Sequence, residues 1–167
     1  FGIVYGISAF GLAQRLGVGR EEAQALIDAY FERYKGMRAW LDRTIEEARK
    51  TGRVQTLYGR IRPIPDIHSK DYSKRQFAER TAVNSPIQGT AADIMKLAMI
   101  RVHTSLREKE LSAKIILQVH DELVVEAPRF EVDAAKSLVR NEMESAAALR
   151  VPLRVSLSVA DNWRDMK

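Results

Sequence analysis

The spacing of apolar residues divides the chain into stretches of helical and strand-like period. Ser8 precedes AFGLAQRL and Gly17 follows it, which predicts a short helix over 9–16, capped by the serine hydroxyl and ended by the glycine. From Arg20 onward Ala23, Leu26, Ile27, Tyr30, Phe31 and Tyr34 recur every three or four residues, the period of one helix face. The same period continues through Trp40, Leu41, Ile45 and Ala48 to a stop at Gly52, with a bend expected at Gly36. Residues 54–57 and 61–64 read as a short hairpin around Tyr58-Gly59-Arg60, after which Pro63 and Pro65 lead into an exposed loop.

In the second half a helix is expected over 72–83, broken near Asn84-Ser85-Pro86 because proline lacks an N–H and crowds the preceding turn. Helical spacing resumes over 90–109. Residues 115–119 and 123–126 are β-like, 130–147 are helical, and VSLSV at 155–159 alternates as a half-buried strand does. Three late strands with helices before and between them predict an α+β fold, with helices packed on a small antiparallel sheet.

Composition narrows the classes. At 167 residues the chain is one domain or a piece of one, with an ordinary 46% of hydrophobic residues. No apolar run approaches the roughly 18–20 residues of a membrane span, so no membrane partner is expected. The absence of cysteine excludes disulfides and thiolate metal sites and fits a reducing cytoplasm, and three histidines argue against a His-rich zinc centre. The charge is unevenly spread. Residues 35–75 hold 11 Lys/Arg against 5 Asp/Glu, whereas the remainder holds 16 against 17. One basic segment carries the whole excess of +5, which suits either a polyanion such as nucleic acid or a solvated face. The opening FGIVYG, apolar and aromatic from its first residue, reads as the middle of an element in a longer protein.

Three stretches could carry chemistry. In FGIVYG, a helical turn would set Phe1 and Tyr5 on one face beside a bare strip of Gly2 and Gly6, suited to stacking on a base or to close helix packing. In RTAVNSPIQGTAAD, Arg80, Asn84 and Gln88 lie four apart, suited to minor-groove, sugar and phosphate contacts, although Thr90 and Asp93 also resemble a helix-capping pattern. In LQVHDELVVEA, two apolar strands meet at His120-Asp121, so that Asp121 and Glu122 project near the tip of a tight hairpin. A carboxylate fixed on a strand end is a good magnesium ligand, and a solvated turn would show the same letters.

Together, and in this order, FGIVYG, the block Thr56-Leu57-Tyr58-Gly59-Arg60, RTAVNSPIQGTAAD, Gln118-Val119-His120-Asp121-Glu122 and the ending Asp161-Asn162-Trp163 resemble the C-terminal half of a bacterial family A DNA polymerase, of the DNA polymerase I type. The similarity covers essentially the whole chain. It implies a portion of the fingers over about 1–83 and of the palm over about 84–167. Phe1 and Tyr5 would line the nucleotide pocket, Phe1 beside the incoming sugar and base and Tyr5 near the templating base. Arg80, Asn84 and Gln88 would contact primer–template, with Gln118 and His120 near the primer terminus. Asp121 would be a catalytic metal ligand and Glu122 a secondary catalytic acid beside it.

The resemblance further implies template-directed DNA synthesis in replication and repair with two Mg²⁺ ions as cofactor, primer–template DNA and dNTP as partners, a monomer, and a cytoplasmic location at the bacterial nucleoid. The family's other catalytic aspartate belongs upstream of residue 1. Asp71-Tyr72-Ser73 shares its letters but continues with Lys74-Arg75 rather than apolar residues. With one of two principal carboxylates, this chain alone is expected to be inactive. A non-catalytic module that grips duplex DNA is the alternative.

Overall fold

The computed structural model describes residues 2–166. Two compact units divide the chain, Phe1–Thr90 and Ala91–Lys167. In the first, helix α1 (Ala9–Leu16) begins where the Ser8 hydroxyl accepts the Gly11 N–H and ends at Gly17, whose φ of 69° is left-handed, as its local signals predict. Leu12 and Ala13 pack with Ala23 of α2 (Arg20–Arg33) and with Ile3, Ile7, Val18 and Ile27.

The long helix expected next is interrupted two residues before the predicted bend. Tyr34, at φ −111° and ψ 56°, separates α2 from α3 (Lys35–Thr51), while Gly36 lies inside α3. Side chains fix the break at Tyr34. The Tyr30 ring meets Phe31 edge-on and lies 4.8 Å from the Tyr34 ring, its hydroxyl donates to Met37 Sδ, and the Arg38 guanidinium lies over Phe31. Further along α3 the exposed Lys50–Glu46 pair holds the Glu46 carboxyl below its ordinary value, and the Lys50 ammonium above its own, chiefly through their hydrogen bond.

Gly52 ends α3 and turns the chain into an antiparallel pair, β1 (Arg53–Gln55) and β2 (Ile61–Pro63). The segment after β2 is not a plain exposed loop. Ile64 precedes a 3₁₀ turn (Pro65–His68) and Ile67 lies within it; each is 2% exposed, and they join Ala48, Val54, Ala78 and Ala82 in one core. Burial of each isoleucine is worth about 1.5–3 kcal/mol, enough to pin the turn.

Helix α4 (Tyr72–Glu108) also departs from expectation, because it continues through Pro86. Hydroxyls line the affected turns: Thr81 donates to the Phe77 carbonyl, Ser85 to Thr81 and Thr90 to Pro86. Asp71 caps its start, with Oδ1 accepting the N–H groups of Ser73 and Lys74, so the DYS letters mark a helix cap.

The second unit holds the residues of α4 from Ala91, the pair β3 (Lys114–Val119) and β4 (Glu122–Glu126), and α5 (Val132–Glu144). Its core joins Val102 and Leu106 to Ala113, Ala135, Leu138 and Val139. The sheet has two strands rather than three. VSLSV pairs with no strand among the described residues, since alternation makes a strand possible and only a partner edge makes it one. The Val155 N–H donates instead to Glu144 Oε1, and Leu157 packs on the core. Regular α5 helix also ends at Glu144, three residues short of expectation.

Candidate functional site

The β3–β4 hairpin arises because KIILQV and ELVVE are both strand-forming and only two residues separate them. Ile115 and Val125 pack on the core of the unit, Val124 beside them in β4 is buried as well, and a bulge at Ile116 shifts the register between Ile115 and Leu117. Val119 pairs with Glu122, leaving His120-Asp121 as a two-residue loop. Such loops ask for positive φ at the first loop position, and His120 adopts φ 53°. This region is uncommon for residues other than glycine, though histidine is among those enriched there. The Gln118 side-chain amide donates to the His120 carbonyl at 2.5 Å and ties the turn to its own strand. Asp121 and Glu122 are exposed at the tip, as the sequence indicates.

The carboxylates supply hard oxygen donors of the kind a magnesium ion prefers. The His120 carbonyl is already engaged. Among the described residues no three His, Asp or Glu side chains gather around one point. The tip therefore fits part of a divalent-metal donor set and does not complete one.

Arg80, Asn84 and Gln88 form a stripe along α4, spanning about 12 Å at the helical rise. Arg80 and Gln88 are exposed. Asn84 is half-buried, and its Oδ1 has no donor among the described residues. Ala78, Ala82, Val83 and Ser85 are buried on other faces of the same turns. This stripe belongs to the first unit and the hairpin tip to the second.

Tyr5 is half-buried in a single helical turn, and Phe1 lies outside the described residues. The Ile7 N–H bonds the Gly2 carbonyl and the Gly6 N–H bonds the Ile3 carbonyl, a Schellman closure with Gly6 at φ 79°. The glycine strip is not bare. A Cβ on Gly2 would meet the Ile7 side chain at 3.3 Å, and one on Gly6 would meet Arg80 Cγ at 3.2 Å. Gly6 thus serves both the left-handed turn and the close seating of the Arg80 stem, which brings the Tyr5 turn to the head of the stripe.

A joint that the sequence does not announce supports the other end of the stripe. Thr56 Oγ1 accepts the N–H groups of Tyr58 and Arg60, folding the TLYGR turn tightly. The Leu57 N–H then donates to Thr90 Oγ1, and Arg60 Nη2 donates to the Gly89 carbonyl. The turn fits because residue 89 has no side chain: a Cβ there would lie 2.6 Å from Thr56 Cγ2. Both blocks are visible in the sequence, but a contact across 33 residues leaves no local signature. Gly89→Ala would gain about 1 kcal/mol of helix propensity. The clash with a threonine held by two bonds outweighs that gain, for a net loss of about 1–2 kcal/mol. Urea unfolding of Gly89→Ala and of Gly89→Ala/Thr56→Ser checks this: the second change removes the methyl and should restore most of the loss.

The chain matches the DNA polymerase family A model over residues 1–165. It is 54% identical over 167 residues to DNA polymerase I of Caldicellulosiruptor bescii and 50% identical to that of Geobacillus stearothermophilus. In each case the match covers 100% of this chain and 20% or 19% of the relative, so the chain spans about a fifth of their length. Among solved structures, the POL domain of Pol1 from M. smegmatis, in complex with DNA primer-template and dNTP, superposes with a TM-score of 0.89 at 45% identity. That match covers 93% of this chain and 27% of the M. smegmatis chain. Sequence blocks, helix-and-hairpin architecture and these likenesses along the whole length agree: the chain belongs to DNA polymerase family A.

Proposed function

We propose that this chain supplies parts of the fingers (to about residue 83) and the palm (from about residue 84) of a DNA-directed DNA polymerase that extends a primer 3′-end with dNTPs. The observation that carries the reading is the exposed Asp121-Glu122 tip of a tied two-residue hairpin loop, in a family A chain. Family A DNA polymerases use divalent metal ions. Asp121, with Glu122 beside it, would hold such an ion, and the family's other catalytic aspartate would complete the donor set. Two bound Mg²⁺ ions would supply charge neutralisation at the attacking and leaving oxygens.

The chemistry is in-line: the primer 3′-oxygen attacks the α-phosphorus of the dNTP, the new phosphodiester forms and pyrophosphate leaves. This chain's residues position the reactants. Gln118 and His120 meet the primer terminus at the tied turn. Arg80, Asn84 and Gln88 grip primer–template sugars and minor-groove edges along the stripe, and the exposed guanidinium and amide heads suit those acceptors. Phe1 and Tyr5 line the dNTP pocket. The primer–template and dNTP bound by the M. smegmatis relative support the same partners here. No helix among the described residues is long and apolar enough to cross a membrane, and a monomer working at the bacterial nucleoid fits this role.

Primer extension by the full-length protein tests the reading. Growth of the primer that requires dNTPs is expected. Shortening instead of growth would point to a nuclease, and salt-sensitive duplex binding without growth would point to a DNA-binding module.

A further inference from the structure

The first unit contains a cleft that none of these roles uses. Its volume is about 390 Å³, within the size range of small-ligand sites. One wall is a face of α3, with Trp40, Arg43, Glu47 and Thr51 at helical spacing, and the other is β1, with Arg53 and Gln55 at alternate positions. The cations around it differ in their bonding. Arg38, Arg49 and Lys50 of α3 are paired with Asp42, Glu79 and Glu46. Arg43 and Arg53, which line the cleft, make no side-chain hydrogen bond or ion pair with another described residue. The cleft thus combines a half-buried indole, two uncommitted guanidinium groups, and a carboxylate and an amide able to bond a base edge.

We propose that this cleft binds a nucleotide of an unpaired DNA strand. The base lies against Trp40, as bases stack on aromatic side chains in single-strand grooves. Its edge donates to Glu47 or bonds Gln55, as carboxylates and amides read base edges elsewhere. The flanking phosphates meet Arg43 and Arg53, whose planar forks match phosphate oxygens. The carboxylate of Glu47 disfavours a bare phosphate and favours a ligand that brings a base donor, which selects a nucleotide over a simple anion. The identity of the strand as unpaired template rests on the polymerase reading, and the cleft employs none of the residues assigned to the primer end.

Tryptophan occurs only at positions 40 and 163, so Trp163→Phe makes Trp40 the sole indole reporter. Titration of that variant of the 167-residue chain with an oligothymidylate of about eight nucleotides should quench its emission saturably. Arg43→Gln/Arg53→Gln should weaken this binding at least about tenfold at fixed salt. Both arginines are exposed and unpaired among the described residues, so their loss leaves the fold intact. Anisotropy of a labelled oligothymidylate, in the chain with both tryptophans, repeats the comparison. Absence of quenching, or an affinity unchanged by the double substitution, would overturn the proposal. Competition by dTMP as effective as by the oligonucleotide would also overturn it, since the site would then take a free nucleotide. Primer extension by the full-length protein reads the polymerase assignment separately. Normal extension without quenching sinks the cleft alone, and quenching without extension sinks the polymerase reading alone.

Discussion

On the proposed polymerase function, Asp121→Ala in the full-length protein is expected to lower the rate of dNTP addition by at least about 10³-fold while leaving primer–template affinity within a few-fold. The size reflects the role. Metal-borne charge stabilisation contributes several kcal/mol to such a transition state, and about 4 kcal/mol corresponds to 10³ in rate. The variant is informative because the side chain has no structural task. Asp121 is exposed and makes no hydrogen bond or ion pair with another described residue. The turn is held instead by the Val119–Glu122 pair and the Gln118-to-His120 bond, which the substitution leaves in place. Asp121→Asn, which keeps the shape and removes the charge, should fall nearly as far. Single-turnover extension beside a binding isotherm separates the effects, and extension at a near-normal rate would remove Asp121 from the catalytic set. By the same logic the 167-residue chain alone should extend no primer, because its described residues assemble no complete metal donor set.

What the sequence discloses is what local chemistry decides. Ser8, Gly17 and Gly52 mark helix ends because a capping hydroxyl and a left-handed glycine act within a few residues of themselves. The HDE tip is legible for the same reason: two strand-forming runs with two residues between them can do little except turn. The misses involve side-chain bonding and packing that apolar periodicity does not encode. Pro86 argues for a break, yet α4 runs on through it with the Thr81, Ser85 and Thr90 hydroxyls bonded to carbonyls around it. Gly36 argues for a bend, yet packing of Tyr30, Phe31 and Arg38 sets the break at Tyr34. VSLSV alternates as a strand, yet no described strand receives it. The seating of TLYGR on Gly89 lies equally out of reach, since neither block names the other.

Glu131 carries the largest stability effect expected outside the hydrophobic cores, and no motif points to it. It sits where a 3₁₀ turn (Arg129–Glu131) passes into α5, and it is only 8% exposed. Its two carboxylate oxygens accept the N–H groups of Ser112 and Ala113, at 3.1 and 3.0 Å, just before β3 begins. One side chain thus joins the start of α5 to the start of the strand that leads to His120-Asp121. Hydrogen bonds to a charged acceptor contribute about 1.5–3 kcal/mol each, and burying the carboxylate offsets part of that gain. In Glu131→Ala water can reach the N–H of the exposed Ser112, whereas that of the buried Ala113 is left without a partner. The net loss should be about 2–3 kcal/mol. Glu131→Gln keeps one acceptor oxygen and should lose roughly half as much. Urea unfolding gives the totals, and amide hydrogen exchange locates them: in Glu131→Ala the Ala113 N–H should exchange faster by at least the factor set by the global loss, about 30-fold or more. Equal unfolding midpoints for the three proteins would mean that packing alone, without this carboxylate, sets the register in which β3 presents its tip.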